Sequence, residues 1–389
     1  MAGTHVAAAL AAASAFRPHH GPVSSPVRYL GNKTKLIPFI LEAVNRFGLE
    51  PGVACDPFAG TASVASALKR SGWRVHAGDL MAASYALQVA RVEIDRTPRY
   101  PPETGPRNGG GASRPVSYRR LVRHLGALEG EGGFITEHYT LAGAEGEAHG
   151  RMYFSPGNAR RIDAIRPAIA RWRAAGHIDE RGAQLLIATL IEAADRVANT
   201  TGVYASFVKT LQPNARRDLE LRPIVPTPAR NGASGSTAFH GPATELVAAV
   251  GTIDLLYLDP PYNERQYPAY YHIPELIATG WSPPPEIRGK TGLIPDDGLR
   301  SDWCRRSEVA GALARVLDAC DARHILLSYN DEGLLPRDEI ETRLRERGIA
   351  DSYVLHDRSY KRYRSDSDGP GRRYRRDRVR EQLHYVRCA

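Results

Sequence analysis

The sequence predicts an α/β protein, an open sheet with its functional loops at the carboxyl ends of the strands, interrupted by a mainly helical insertion. Three observations predict it. Short runs of strand formers end in acids, at Val53–Asp56, Trp73–Asp79 and Ile253–Asp259. The first two are joined by a tight loop with one glycine and a helix, which is a βαβ unit. Between two Pro/Gly-rich stretches, 101–115 and 226–236, the apolar spacing turns helical over 158–175 and 180–199.

Taken in order, residues 1–21 lack the basic start of a secretory signal and read as a tail outside the fold. Arg28-Tyr29-Leu30-Gly31-Asn32-Lys33-Thr34-Lys35-Leu36 precedes a helix expected over Thr34–Phe47. Gly31 permits close backbone approach, Lys33 suits an anionic group and Tyr29 an aromatic contact; a basic helix start with a solvated face is the plain alternative. Val53–Asp56 then leads through Pro57-Phe58-Ala59-Gly60-Thr61 into a helix, and the next strand ends at Asp79. An acid at that place accepts hydrogen bonds from ribose hydroxyls in nucleoside-binding βαβ units. The loop has a single glycine and is not GxGxxG, which favours a nucleoside with a small charged tail over a dinucleotide. After the helical segment, Thr201–Lys209 is short, aromatic and basic. Later elements are a helix near Val309–Asp321, a strand at His324–Asn330, and a terminal strand pair at 351–356 and 382–387.

Asp259-Pro260-Pro261-Tyr262 closes the apolar run that starts at Ile253. The prolines end the strand, because neither donates a ladder hydrogen bond, and this leaves the acid where open α/β sheets bind ligands. The Asp259 carboxylate and the Pro260 carbonyl both accept hydrogen bonds from an –NH2 group, and the Tyr262 ring stacks on a flat base. Drawing both hydrogens toward acceptors keeps the nitrogen lone pair out of the ring and makes it nucleophilic. A strand-ending turn with no chemistry is the alternative reading of the tetrapeptide alone.

The chain of 389 residues carries a formal charge of +9, which favours a polyanionic partner. The charge is concentrated: Arg358 to Arg380 holds ten Lys/Arg against three Asp, interleaved with Tyr360, Tyr363 and Tyr374, a composition that suits phosphates and unstacked bases as well as a solvated loop. Cys55, Cys304, Cys320 and Cys388 lack metal-ligand spacing and read as reduced thiols of a cytoplasmic protein. No apolar run reaches the length of a membrane span.

In this order, the Gly-Asn-Lys segment, Asp56-Pro57-Phe58-Ala59-Gly60 and Asp259-Pro260-Pro261-Tyr262 resemble the alpha group of N6-adenine-specific DNA methyltransferases. The likeness continues through Asn263–Tyr267, Tyr271-His272 and Glu275, and through Tyr153–Ala159 and Ile162–Arg166. It implies a doubly wound, mostly parallel Rossmann-like sheet of about seven strands with an antiparallel last strand. It implies a cofactor-binding part at 22–100, a target-recognition insertion at 101–236 and a methyl-transfer part at 237–389. S-adenosylmethionine is the implied cofactor, with Tyr29, Gly31, Lys33, Asp56, Phe58, Gly60, Thr61 and Asp79 around it. Asp259, Pro260, Pro261 and Tyr262 are the implied catalytic set, acting on an adenine flipped from double-stranded DNA. No metal and no membrane enter, and a cognate restriction endonuclease is the further implied partner. Arg265, Arg372, Arg373, Arg375 and Arg376 are the expected DNA contacts. One departure stands out: Pro242 occupies the place where this group carries an acid near the cofactor's adenine, leaving Thr244 or Glu245 to replace it. N4-cytosine or RNA as substrate, and a catalytically silent DNA-binding scaffold, remain open alternatives.

Overall fold

The computed structural model describes residues 27–104, 115–141, 150–230, 234–361 and 378–389. Its centre is a seven-stranded sheet: β1 (Val53–Asp56), β2 (Arg74–Asp79), β3 (Thr237–His240), β4 (Leu255–Leu258), β5 (His324–Asn330), β6 (Val354–Lys361) and β7 (Arg378–Arg387). The spatial order is β6-β7-β5-β4-β1-β2-β3. All neighbours from β5 to β3 pair parallel, while β7 runs antiparallel to both β5 and β6. Successive strands thus proceed outward from β1 in both directions, and the direction reverses between β1 and β4. Ligands of open α/β sheets bind at that reversal, and Asp56 and Asp259 stand beside it.

The strand pattern explains how helices cover both faces. β4 is four consecutive buried residues, as expected for a strand buried on both sides. Leu256 and Leu258 pack with α6 (Ala243–Val250), α8 (Val309–Ala319) and α9 (Arg337–Arg347). Leu255 and Tyr257 pack on the other face with α1 (Ile37–Arg46) and α2 (Ser63–Arg70).

A third cluster joins α3 (Ala82–Gln88), α4 (Pro156–Ala174), α5 (Glu180–Val197) and α7 (Tyr267–Thr279). The helical segment therefore shares a core with α3 and α7, which follow β2 and the Asp-Pro-Pro-Tyr turn. Its ends are chemically marked. Ser155 caps α4 by accepting from the Asn158 N–H, with Pro156 in the first turn, and Asp179 caps α5 by accepting from the Gly182 N–H at 2.8 Å.

Two expectations change. The run Ile253–Leu258 is not one strand. Asp254 interrupts it, its carboxylate accepting from the Val53 N–H at 2.7 Å and from Arg323 at 2.6 Å. Thr252–Ile253 pairs instead with Asp321–Ala322 in a separate two-stranded sheet. The terminal pair is displaced and longer than 351–356 and 382–387: Ala350–Ser352 forms a 3-10 turn, the first strand starts at Val354, and the ladder continues out to Lys361 opposite Arg378. Arg372, Arg373, Arg375 and Arg376 lie outside the described residues, as does the tail 1–21.

Candidate active site

The segment after β1 must turn sharply to start α2, and its backbone shows how. Gly60 adopts φ +50° beneath the Tyr29 ring, where a Cβ would come within 3.1 Å of Cε1. Ala62 at φ 62° is the one left-handed non-glycine residue among those described, and it immediately precedes α2. Such strain costs roughly 1–2 kcal/mol and persists where the surroundings fix it. Here they do: Ala59 N–H bonds the Gly78 carbonyl at 3.0 Å, Gly60 N–H bonds Asp79 at 3.1 Å, and Arg91 bonds the Thr61 carbonyl at 2.7 Å. Asn32 reaches over from the amino-terminal segment to donate to Thr61 Oγ1 at 3.0 Å.

Asp79 ends β2 and is itself fixed, accepting also from the Met81 N–H at 2.9 Å. Burial pushes its carboxyl up to about 6, against those backbone donors. Behind it, Glu275 of α7 accepts from the Ala82 and Ala83 N–H groups at 2.9 Å each, holding the start of α3. Burial pushes Glu275 up to about 7. Asp56 is buried, one of its oxygens lacks a hydrogen-bond partner, and burial followed by the nearby Asp259 charge raises it well above the carboxylate range.

Across the sheet reversal, Asp259 follows β4. One of its oxygens meets the Lys33 ammonium at 3.1 Å, and the same ammonium meets Glu381 of β7 at 2.8 Å. Lys33 and Glu381 are almost fully covered, while the Asp259 side chain keeps 15% exposure toward the cavity. Burial pushes Asp259 up to about 7, with Lys33 opposing and Glu381 reinforcing the rise. Lys33 also stands 5.4 Å from the Tyr262 ring centre. Gly31, at φ +78°, brings backbone against that ring, where a Cβ would sit 3.6 Å from Tyr262. Tyr29 stacks on Tyr271 at 4.5 Å, with Tyr267 alongside at 5.4 Å.

These pieces line one cavity of about 370 Å³. Every residue expected at the cofactor or the catalytic tetrapeptide borders it, from Tyr29, Gly31 and Lys33 through Asp56, Phe58, Gly60, Thr61 and Asp79 to Asp259, Pro260, Pro261 and Tyr262. Lys35, which the family likeness offered as the alternative to Lys33 beside the cofactor, is exposed and does not. At the departure site, Pro242 opens α6, and Thr244 rather than Glu245 borders the cavity. Phe58 meets Trp303 edge-on at 4.9 Å and closes an apolar wall there. Arg265 lies outside the cavity, exposed, with its guanidinium 5.6 Å from the Tyr270 ring.

A cavity with acids at two strand ends, an aromatic wall and a strained glycine loop matches a nucleoside-and-base site, and the family comparison decides which. The model of the D12 class N6 adenine-specific DNA methyltransferases matches residues 29–342. The chain belongs to that family.

Relatives agree. The type II methyltransferase M.NlaIII of Neisseria lactamica is 32% identical over 363 residues, 92% of this chain and 99% of that protein. M.FokI of Planomicrobium okeanokoites is 33% identical over 344 residues, 87% of this chain and 50% of that one. The modification methylase StsI of Streptococcus sanguinis is 30% identical over 341 residues, 87% of this chain and 49% of that one. The chain thus spans nearly the whole of the first and about half of the other two. Among solved structures, a putative RNA methyltransferase of Pyrococcus horikoshii superposes at a TM-score of 0.29 with 8% identity, over 97% of each chain. So low a score leaves the fold to rest on the sheet itself.

The residues in and behind the cavity of this N6-adenine DNA methyltransferase are of two kinds. Those in contiguous motifs were legible. Glu381 was not: it lies on the last strand, in a sequence context of arginines and Gln382 that marks nothing. Ser328, which donates to Glu381 at 2.6 Å, is equally silent in the sequence. Glu275 was visible only through the family likeness, without a role. Among the described residues no helix is long and apolar enough to cross a membrane, and no three metal-ligating side chains cluster.

Proposed function

We propose that the enzyme uses S-adenosylmethionine to methylate N6 of an adenine flipped from double-stranded DNA, as the modification partner of a restriction endonuclease. The observation that carries this reading is Asp259, at the end of β4, opening onto the same cavity as Asp79 and Gly60. The cavity fits the cofactor's chemistry: the buried Asp56 oxygen without a partner offers an acceptor to a donor group, and Phe58 with Trp303 offers an apolar wall for a base.

The cofactor, once bound, supplies an already activated methyl group, so the protein's work is positioning and exclusion of water. Asp79, preset by the Gly60 and Met81 N–H groups, accepts from ribose hydroxyls. Gly60 lets the loop backbone approach, while Asp56, Thr61 and the Tyr29 ring complete that end. At the other end, Asp259 and the Pro260 carbonyl accept from the two N6 hydrogens and free the nitrogen lone pair. Tyr262 stacks on the extruded ring, whose removal from the duplex costs a few kcal/mol. Formation of the N6–methyl bond obliges N6 to release one proton, and Asp259, pushed up to about 7, is suited to hold it. Arg265 at the surface and the arginines at 372, 373, 375 and 376 serve phosphates, which position the protein without specifying sequence.

The test is expression in a host devoid of DNA methylation, followed by modification-sensitive sequencing of its genome. N6-methyladenine within one short recurrent sequence is expected. N4-methylcytosine, or unmodified DNA with soluble, cofactor-binding protein present, overturns the reading.

A further inference from the structure

Lys33 is shared. Its ammonium lies 2.8 Å from Glu381 and 3.1 Å from a single oxygen of Asp259. Glu381 is anchored by the Ser328 hydroxyl at 2.6 Å on the oxygen that also meets Lys33, and its second oxygen is buried with no hydrogen-bond partner. With no second carboxylate behind it, the Lys33 ammonium could direct more of its three N–H donors at Asp259 and occupy acceptor positions on both of its oxygens. An amino group that must be activated by hydrogen-bond acceptance needs one of those oxygens. An excess buried carboxylate behind the lysine is a costly feature for stability, and it is placed where it acts on the acid that methyl transfer needs.

We propose that Glu381 is a positioning residue for methyl transfer: by competing for the Lys33 ammonium it leaves one Asp259 oxygen free for the adenine amino group. The proposal rests on the methyl-transfer reading above. Lys33 ties the amino-terminal segment to β4, and Glu381 ties both to the antiparallel strand β7, so the last strand of the chain takes part in the site. The charged and titratable groups that face Asp259 are Lys33 from the amino-terminal segment, Glu381 from β7, Asp56 from β1, Tyr257 and Tyr262 on either side of it, and Tyr267 from α7. Lys33 and Glu381 push the Asp259 carboxyl in opposite directions, so removing each must move it in opposite directions.

The experiment is single-turnover methylation of DNA at saturating cofactor, followed across pH. In the wild type the rate falls as pH drops through about 7, where Asp259 takes up a proton. Glu381→Gln keeps the shape and removes the charge. Its acid limb shifts to lower pH by about one unit, and its plateau falls about tenfold, with cofactor affinity within about threefold of wild type. Lys33→Met shifts the acid limb upward. Glu381→Asp restores the wild-type limb. A limb in Glu381→Gln that coincides with wild type, or one that moves the same way as in Lys33→Met, overturns the proposal. Should Glu381→Gln fail to bind cofactor for want of folding, the upward shift in Lys33→Met decides, and its absence overturns the proposal too. N6-methyladenine made by the wild type in the same assay keeps the functional reading separate from either outcome.

Discussion

The proposed donor end of the pocket, around Gly60 and Asp79, is fixed mainly by backbone groups of residues 59–81, whereas the proposed acceptor end, around Asp259, is built from side-chain charges brought from both ends of the chain. At the donor end, N–H and carbonyl groups of Ala59, Gly60, Thr61, Gly78 and Met81 do the fixing. At the acceptor end, one ammonium between two carboxylates does it. Backbone hydrogen bonds tolerate the exchange of most neighbouring side chains. A buried charge cluster does not, since loss of one member leaves another uncompensated. The acceptor end should therefore lose rate steeply on single substitutions, while the donor end should lose affinity moderately.

The sharpest break of that comparison would come from Asp259→Ala. The rate of methyl transfer should fall at least about a thousandfold, the scale for removing a preorganised group aimed at the reacting centre. Cofactor affinity should stay within about tenfold, since the role proposed for the missing carboxylate is at the adenine. Single-turnover kinetics beside calorimetric titration would read both; near-normal turnover would remove Asp259 from the chemistry.

At the donor end, Asp79→Ala should weaken cofactor binding by about 1–3 kcal/mol, the scale for hydrogen bonds to a charged acceptor, and leave the rate at saturation near wild type. Unchanged affinity by calorimetry would place the ribose acceptor elsewhere.

Glu275 extends the donor end into the helical layer. Glu275→Ala strands the Ala82 and Ala83 N–H groups and should cost about 1–3 kcal/mol of stability in denaturant melts. Its carboxyl is raised to about 7 when folded, so its contribution is fully present below the unfolded value of about 4.3 and is lost as pH rises through the folded one. The stability of wild type relative to Glu275→Gln should accordingly decline between about pH 4 and 8. A difference independent of pH would show that burial does not hold this acid protonated.

The smallest effect tests whether anything outside the pocket shares in the chemistry. Joint neutralisation of Arg372, Arg373, Arg375 and Arg376 should weaken binding to all duplexes alike. It should also reduce the log–log salt slope by about 0.9 for each phosphate that these arginines neutralise in the wild type. The methylated sequence should not change. A changed sequence would make that segment part of base recognition.

The same contrast explains what the sequence disclosed. Asp56–Thr61, Asp79 and Asp259–Tyr262 are runs in which strand, turn and ligand-facing residue lie side by side, so local pattern located both ends of the cavity. The strands at 74–79 and 324–330 followed from apolar content and turn residues. The break at Asp254 was hidden, because a single acid inside an apolar run reveals nothing of the Val53 N–H and Arg323 it will meet. Lys33 was legible as a charge expected near the cofactor, yet its partners were not, since the pairing depends on β7 being inserted antiparallel between β5 and β6. Glu381 becomes meaningful only once that topology is known.

The division of labour between the two ends is tested most directly by combining Asp259→Ala with Asp79→Ala and titrating cofactor into the single and double variants. Independent ends predict that the cofactor-affinity loss of the double variant equals the sum of the two single losses within about 0.5 kcal/mol, with nearly all of that sum coming from Asp79→Ala, while its methyl transfer is as low as that of Asp259→Ala. A loss in Asp259→Ala as large as that in Asp79→Ala, or a double variant that departs from the sum of the two by more than about 1 kcal/mol, would show that Asp259 helps hold the cofactor, and would contradict the account.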